Sequence, residues 1–146
     1  MKTCRILVVD DEPDLEDLVN QRMRREIRSG RYSFVFARNG VEALERLNGD
    51  SDIDIVITDI NMPEMDGLTL LEQIPAYDPK FRCVIVSAYG DMKNIRTAMN
   101  RGAFDFLNKP IDFEDFRNTI DKSMEHLSQV REAFEARDRM LAEGGS

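Results

Sequence analysis

Five short apolar runs recur along the chain, each followed by a longer segment whose apolar residues return at helical spacing. No other feature of the sequence narrows the fold as much. The first run, Ile6–Val9, is a continuous β-branched and leucine stretch, the pattern of a strand buried on both faces of a parallel sheet. Pro13 suits the first turn of a helix, and Leu15, Leu18, Val19, Met23 and Ile27 then keep helical period until Ser29-Gly30. Tyr32–Ala37 reads as a second strand, and Val41–Leu47 as a short helix after Asn39-Gly40. Ile53–Thr58 is the third strand and ends at Asp59. The loop Ile60–Gly67 carries Pro63 and an Asp66-Gly67 pair, both turn chemistry, and a helix over Leu68–Tyr77 follows, closed by Pro79. Phe81–Ser87 is the fourth strand, Asp91–Arg101 a polar helix with Gly102 fitting its C-terminal cap, and Phe104–Asn108 the fifth strand. A long helical pattern begins near Asp112, and no proline or glycine interrupts it before Gly144.

Strands that alternate with helices imply an α/β fold, a doubly wound five-stranded parallel sheet. Right-handed crossovers with short connections favour the flavodoxin-like order 2-1-3-4-5, here with an extended C-terminal helix. At 146 residues the chain suffices for one ordinary domain, placed at 1–123, with 124–146 as a helical extension. The order also separates the two cysteines: Cys4 lies on the first strand and Cys83 on the fourth, with the third between them. Two strand spacings are about 10 Å, beyond disulfide reach, so both are expected as free thiols.

Charge and composition exclude several functions. A net charge of −8 argues against a nucleic-acid surface, which needs clustered cations. The arginines at 22, 24, 25, 28 and 31 crowd the end of the first helix, where the plainest reading is a solvated face and turn. One histidine, His126, leaves no histidine-rich metal site and no ordinary Ser–His or Cys–His triad. No stretch approaches the ~20 apolar residues that span a bilayer, so the expected location is cytoplasmic.

In this architecture ligands bind outside the C-terminal ends of the strands. Strand one ends in Asp10-Asp11-Glu12, strand three in Asp59, strand four in Ser87-Ala88 and strand five in Asn108-Lys109-Pro110. Each alone is commonplace, as a helix cap or a solvated lysine; together they bring carboxylates, a hydroxyl and an ammonium to one edge. Crowded carboxylates either raise a pKa or recruit a cation, and hard oxygen donors suit Mg²⁺. An Asp carboxylate is a competent nucleophile toward phosphorus, and a metal, Lys109 and the Ser87 hydroxyl can stabilise the transferring oxygens.

At this point the chain resembles a known family, the receiver domain of two-component response regulators. The matching motifs are VVDDEP (Val8–Pro13), TDINMPEMDG (Thr58–Gly67), SAYG (Ser87–Gly90) and FDFLNKPID (Phe104–Asp112), within a resemblance running from Lys2 to Ser123. The resemblance implies a phosphoacceptor that takes a phosphoryl group onto Asp59 from the phosphohistidine of a histidine kinase or histidine phosphotransfer protein. It implies Mg²⁺ held by Asp11, Asp59 and the Asn61 backbone carbonyl, with Asp10 contributing through water. Ser87 would bond the phosphoryl group, Lys109 would pair with it, and Lys109-Pro110 would be cis. Phe106 stands where the family more often has tyrosine, so an inward switch of Ser87 and Phe106 would run on packing without a hydroxyl hydrogen bond. Asn61 and Tyr89 fall at positions that tune acyl-phosphate lifetime. Such a protein is a signalling phosphoacceptor that catalyses only its own phosphorylation and slow dephosphorylation.

The rival readings are weaker. An aspartyl-phosphate phosphatase of the haloacid dehalogenase type needs an acid two residues after the nucleophile, and that position is Asn61. A phosphate-independent relative would be expected to have lost Asp59, Lys109 or an acidic partner, and a P-loop binder lacks its G-x-x-x-x-G-K signature. Past Ser123 the pattern is a heptad: Phe113, Ile120, Leu127, Phe134 and Leu141 recur every seven residues, with Phe116 and Val130 at matching positions and Ser123 and Arg137 spoiling the seam. Leu127, Val130, Phe134 and Leu141 are expected to lie beyond the domain's own surface. They predict a weak or phosphorylation-dependent homodimer, through the fourth helix, fifth strand, fifth helix and this coiled-coil stalk leading toward an output domain.

Overall fold

The structure, a computed structural model, describes residues 3–50, 52–62, 65–73 and 80–144. Strands β1 (Cys4–Val9), β2 (Tyr32–Ala37), β3 (Ile55–Asp59), β4 (Arg82–Ala88) and β5 (Asp105–Lys109) form one all-parallel sheet in the order β2-β1-β3-β4-β5. Helices α1 (Leu15–Arg22), α2 (Arg24–Arg28), α3 (Gly40–Gly49), α4 (Gly67–Gln73), α5 (Met92–Asn100) and α6 (Phe113–Gly144) make up the two outer layers. Alternation along each strand divides the core. Leu7, Val9, Val56 and Ile85 face Ala43, Leu70, Ile95 and Ala98 of α3, α4 and α5. Ile6, Val8, Ile57 and Val84 face Leu15, Val19, Phe116 and Ile120 of α1 and α6. Cys4 and Cys83 belong to opposite layers, both buried and both free. Burial pushes each thiol up to about 12, so neither is a nucleophile.

Two elements depart from the expected pattern. The first helical segment breaks at Met23 (φ −102°, ψ 15°), although the bonds from Met23 N–H to Val19 O and from Ile27 N–H to Met23 O carry the helical path across. No proline or glycine marks the break, so periodicity runs straight through it. The helix expected over Leu68–Tyr77 is described as α4 to Gln73; its remaining residues and Pro79 lie outside the described residues, as does Pro63.

The long helix is present, at 32 residues, but its docking corrects the heptad reading. Leu127 is fully buried in the domain's own core. Around it, His126 lies against Phe104 with ring centroids 4.7 Å apart and accepts a hydrogen bond from Arg82 Nε at 3.1 Å. One turn on, Arg131 pairs with the buried Asp54 at 3.0 Å and donates to the Lys80 carbonyl. Polar residues at the base of the sheet thus extend the docking surface a full two turns past Ser123. Only then do Phe134 and Leu141 stand exposed, at 41% and 63%. No helix among the described residues is long and apolar enough to cross a membrane.

Candidate functional site

The parallel register brings the strand ends level: Val9 pairs with Thr58, Asp59 with Val86, Ser87 with Asn108 and Ala88 with Lys109. Because every strand runs the same way, the residues just beyond these level ends converge on one edge. Asp10, Asp11 and Asp59 each place a carboxylate oxygen within 4.8 Å of the others. Asp59 is 4% exposed, and its Oδ2 accepts from Lys109 Nζ at 2.7 Å while its Oδ1 accepts from the Asn61 N–H at 3.2 Å. Lys109 also reaches Asp10 Oδ2 at 3.6 Å. Lys109-Pro110 is cis.

The electrostatics follow from this crowding. Burial pushes the Asp10 carboxyl above its usual range, and the charges of Asp59 and Asp11 push the same way; the Glu12 N–H and Lys109 offset only part of it. Burial works against the Lys109 charge, but the hydrogen bond to Asp59 and the fields of Asp10, Asp59 and Glu12 outweigh it and hold the ammonium above its usual value. One ammonium faces three carboxylates, so a small hard cation fits the donor set in both charge and chemistry.

The loop after Asp59 is held close by a glycine. Gly67 opens α4, and its N–H donates to the Ile60 carbonyl at 2.9 Å. A Cβ at this position would sit 2.3 Å from the Asp59 carbonyl oxygen and 3.0 Å from Ile60 Cα, so only glycine lets α4 start directly against the backbone of Asp59. An open cleft of about 630 Å³ adjoins the cluster, with Asp10, Asp11 and Glu12 on one wall and Arg38 and Arg46 on the other.

A sequence profile described as the response regulator receiver domain matches residues 6–121. The chain belongs to this family. The transcriptional regulatory protein GlrR of Escherichia coli (strain K12) is 34% identical over 145 residues, which cover 96% of this chain and 32% of that protein. The response regulator protein PilR of Pseudomonas aeruginosa is 32% identical over 146 residues, covering 98% of this chain and 31% of that one. The receiver therefore spans about a third of the length of the curated relatives it matches. Among solved structures, the signal receiver domain of an HD domain-containing protein from Pseudomonas fluorescens Pf-5 aligns with a TM-score of 0.79 at 28% identity, covering 90% of this chain and 94% of that one. NtrX from Brucella abortus aligns with a TM-score of 0.81 at 30% identity, covering 94% of this chain and 30% of that one.

The remaining residues singled out in the sequence fall at or beside the receiver's acidic edge. Ser87 is 1% exposed at the end of β4, yet its hydroxyl donates to Asp91 Oδ2 at 3.2 Å. Phe106 is half-buried against the core layer under α3, α4 and α5, and it lines a second cleft with Tyr89, Lys109 and Pro110. Tyr89 itself is almost fully exposed. Asn61 is exposed, tied to the site through its backbone. Sequence reasoning passed over Gly67, which read only as turn chemistry, and Asp91, which read only as the start of a helix. Neither role is visible until the backbone of one segment is laid against another.

Proposed function

We propose that this receiver accepts a phosphoryl group onto Asp59 from the phosphohistidine of a histidine kinase or histidine phosphotransfer protein, and changes shape in response. The observation that carries the reading is the pairing of buried Asp59 with Lys109 at 2.7 Å beside two further carboxylates. An Asp59 oxygen attacks phosphorus as the N–P bond of the donor breaks, and the departing imidazole keeps the electron pair and takes up a proton. Bound by Asp11, Asp59 and the Asn61 carbonyl, with Asp10 through water, Mg²⁺ would supply the positive charge that lets an anionic donor approach. Lys109 holds Asp59 in place by hydrogen bonding and then pairs with a phosphoryl oxygen. Ser87 donates its hydroxyl to another. Space left by Ser87 admits the Phe106 ring, and the face of α5, β5 and α6 repacks. Asn61 and Tyr89 flank the acyl phosphate and set the access of water to it.

The receiver would form the input portion of a longer regulator, coupled through α6. Since Leu127 is used by the domain itself, any dimer seam along α6 starts at Phe134. Sedimentation of the full chain and of one ending at Glu132, with and without beryllofluoride, tests that seam; monomers in every condition would remove it from the account.

The phosphoacceptor reading is tested with beryllofluoride as a phosphoryl mimic. Amide shifts at the strand ends and on α5 should change only with Mg²⁺ present, and Phe106→Ala should keep the response near Asp59 while losing that of α5 beyond its first turn. Identical α5 responses in wild type and Phe106→Ala would overturn the switch, and an undiminished response after chelation would overturn the metal's role.

A further inference from the structure

Ser87 carries one hydroxyl proton, and in the unmodified domain that proton is already committed. Its Oγ donates to Asp91 Oδ2 at 3.2 Å, and Asn94 Nδ2 donates to the same oxygen at 2.9 Å. A hydroxyl can donate once, so Ser87 cannot serve Asp91 and a phosphoryl oxygen together. Being 1% exposed, it has no water to fall back on, and a buried donor leaves one acceptor only for another.

Asp91 also stands where its carboxylate has a second use. It is the N-cap of α5, with Ile95 N–H bonding its carbonyl, but its side chain makes no capping hydrogen bond. Elsewhere in the chain Asn39, Asp66 and Asp112 do cap: they accept from the N–H groups of Glu42, Thr69 and Glu114 at 2.9, 2.8 and 2.8 Å. With the backbone of Asp91 at φ −80°, ψ 60°, the carboxylate instead accepts from Ser87 at the end of β4 and from Asn94.

We propose that Asp91 is a positioning residue that holds the Ser87 hydroxyl in the unphosphorylated domain and, once the phosphoryl group has taken that hydroxyl, turns to cap the first turn of α5. The proposal rests on the phosphoacceptor reading for its trigger, though the exchange between Ser87 and the cap does not need a ligand. It links the site to α5 by a route separate from Phe106: one carboxylate with two alternative sets of donors. A bistable contact of this kind converts a local change at Asp59 into a change of helix-end stability.

Amide hydrogen exchange at Lys93 and Asn94, the positions an N-cap side chain serves, reads the cap directly. In Ser87→Ala without any phosphoryl mimic, the freed carboxylate should slow exchange at one of these amides on the order of fivefold, the size of one cap bond. Wild type should show the same slowing on adding beryllofluoride and Mg²⁺, Ser87→Thr should behave as wild type, and Asp91→Ala should show no slowing in either state. Wild-type exchange at Ile85 in each variant confirms an intact sheet. The proposal is overturned if Ser87→Ala leaves Lys93 and Asn94 at wild-type rates, or if Asp91→Ala slows with beryllofluoride as wild type does. Should Ser87→Ala slow these amides while wild type ignores beryllofluoride, the Asp91 exchange stands and the phosphoacceptor reading falls.

Discussion

Asp54 and Asp59 bracket the same short strand, β3, and on burial alone they are alike: 1% and 4% exposed. Each is paired with a cation from the C-terminal part of the chain, Asp54 with Arg131 at 3.0 Å and Asp59 with Lys109 at 2.7 Å. Their surroundings differ. Asp54 has a donor on each oxygen, the Arg5 N–H on Oδ2 and Arg131 on Oδ1, and it stitches the base of the sheet through its own N–H to Arg5 and its carbonyl to Arg82. Asp59 shares its cation with Asp10 and has Asp11 beside it, and these two acids line an open cleft. Asp59 too has a donor on each oxygen, so its difference as a buried carboxylate is the negative charge gathered around it. One left over-crowded with negative charge is poised to bind a cation and react.

The largest effect expected from this contrast is at the structural end. A chain cut after Ser123 loses the burial of Leu127, about 1.5–3 kcal/mol, and leaves Asp54 without its cation. Urea unfolding should show it less stable by about 3 kcal/mol or more, whereas a cut after Glu132 should stay within about 0.5 kcal/mol of the full chain. Equal stability of the two truncations would mean that α6 does not dock as described. Next in size is the glycine against the Asp59 backbone. Gly67→Ala forces a methyl onto backbone and should cost about 1–3 kcal/mol while slowing phosphate incorporation. Gly49→Ala, where a Cβ meets no atom of the described residues within 4 Å, should stay within about 0.5 kcal/mol of wild type with normal incorporation. A Gly67→Ala variant as stable and active as Gly49→Ala would remove the close approach of α4 from the account.

The smallest effect concerns a third buried acid, Glu26. Burial would raise its pKa, but its own backbone N–H and Arg117, bonded at 2.6 Å, outweigh that and hold the carboxyl below its usual range. A depressed carboxyl adds stability that is complete above the unfolded glutamate value and is lost as pH falls through the lower folded value. Glu26→Gln should therefore flatten the acid limb of the stability curve. An unchanged limb would show that the pairing with Arg117 does not favour the charged form, in keeping with Glu26 Oε2, which is buried without a hydrogen-bond partner among the described residues.

Strand identity, strand order and the strand-end residues were legible in the sequence because each rests on a local rule: continuous apolar runs, short crossovers, and chemistry at C-terminal ends. The free cysteines followed from the order alone. The base of the sheet was not legible. Asp54, Arg82, His126 and Arg131 are scattered over 78 positions and no period connects them, so the heptad at Leu127 read as a free seam when it is domain core. The acceptor of the Ser87 hydroxyl was equally hidden, since whether a hydroxyl turns to Asp59 or to Asp91 depends on a loop conformation and not on residue type.

The central claim is that crowding, not burial, makes Asp59 the phosphoacceptor, and intact-mass measurement after incubation with acetyl phosphate and Mg²⁺ tests it most directly. Wild type and Asp54→Asn should each gain one phosphoryl group, and Asp59→Asn should gain none. Incorporation by Asp59→Asn at the wild-type rate, or its loss in a folded Asp54→Asn, would contradict the account.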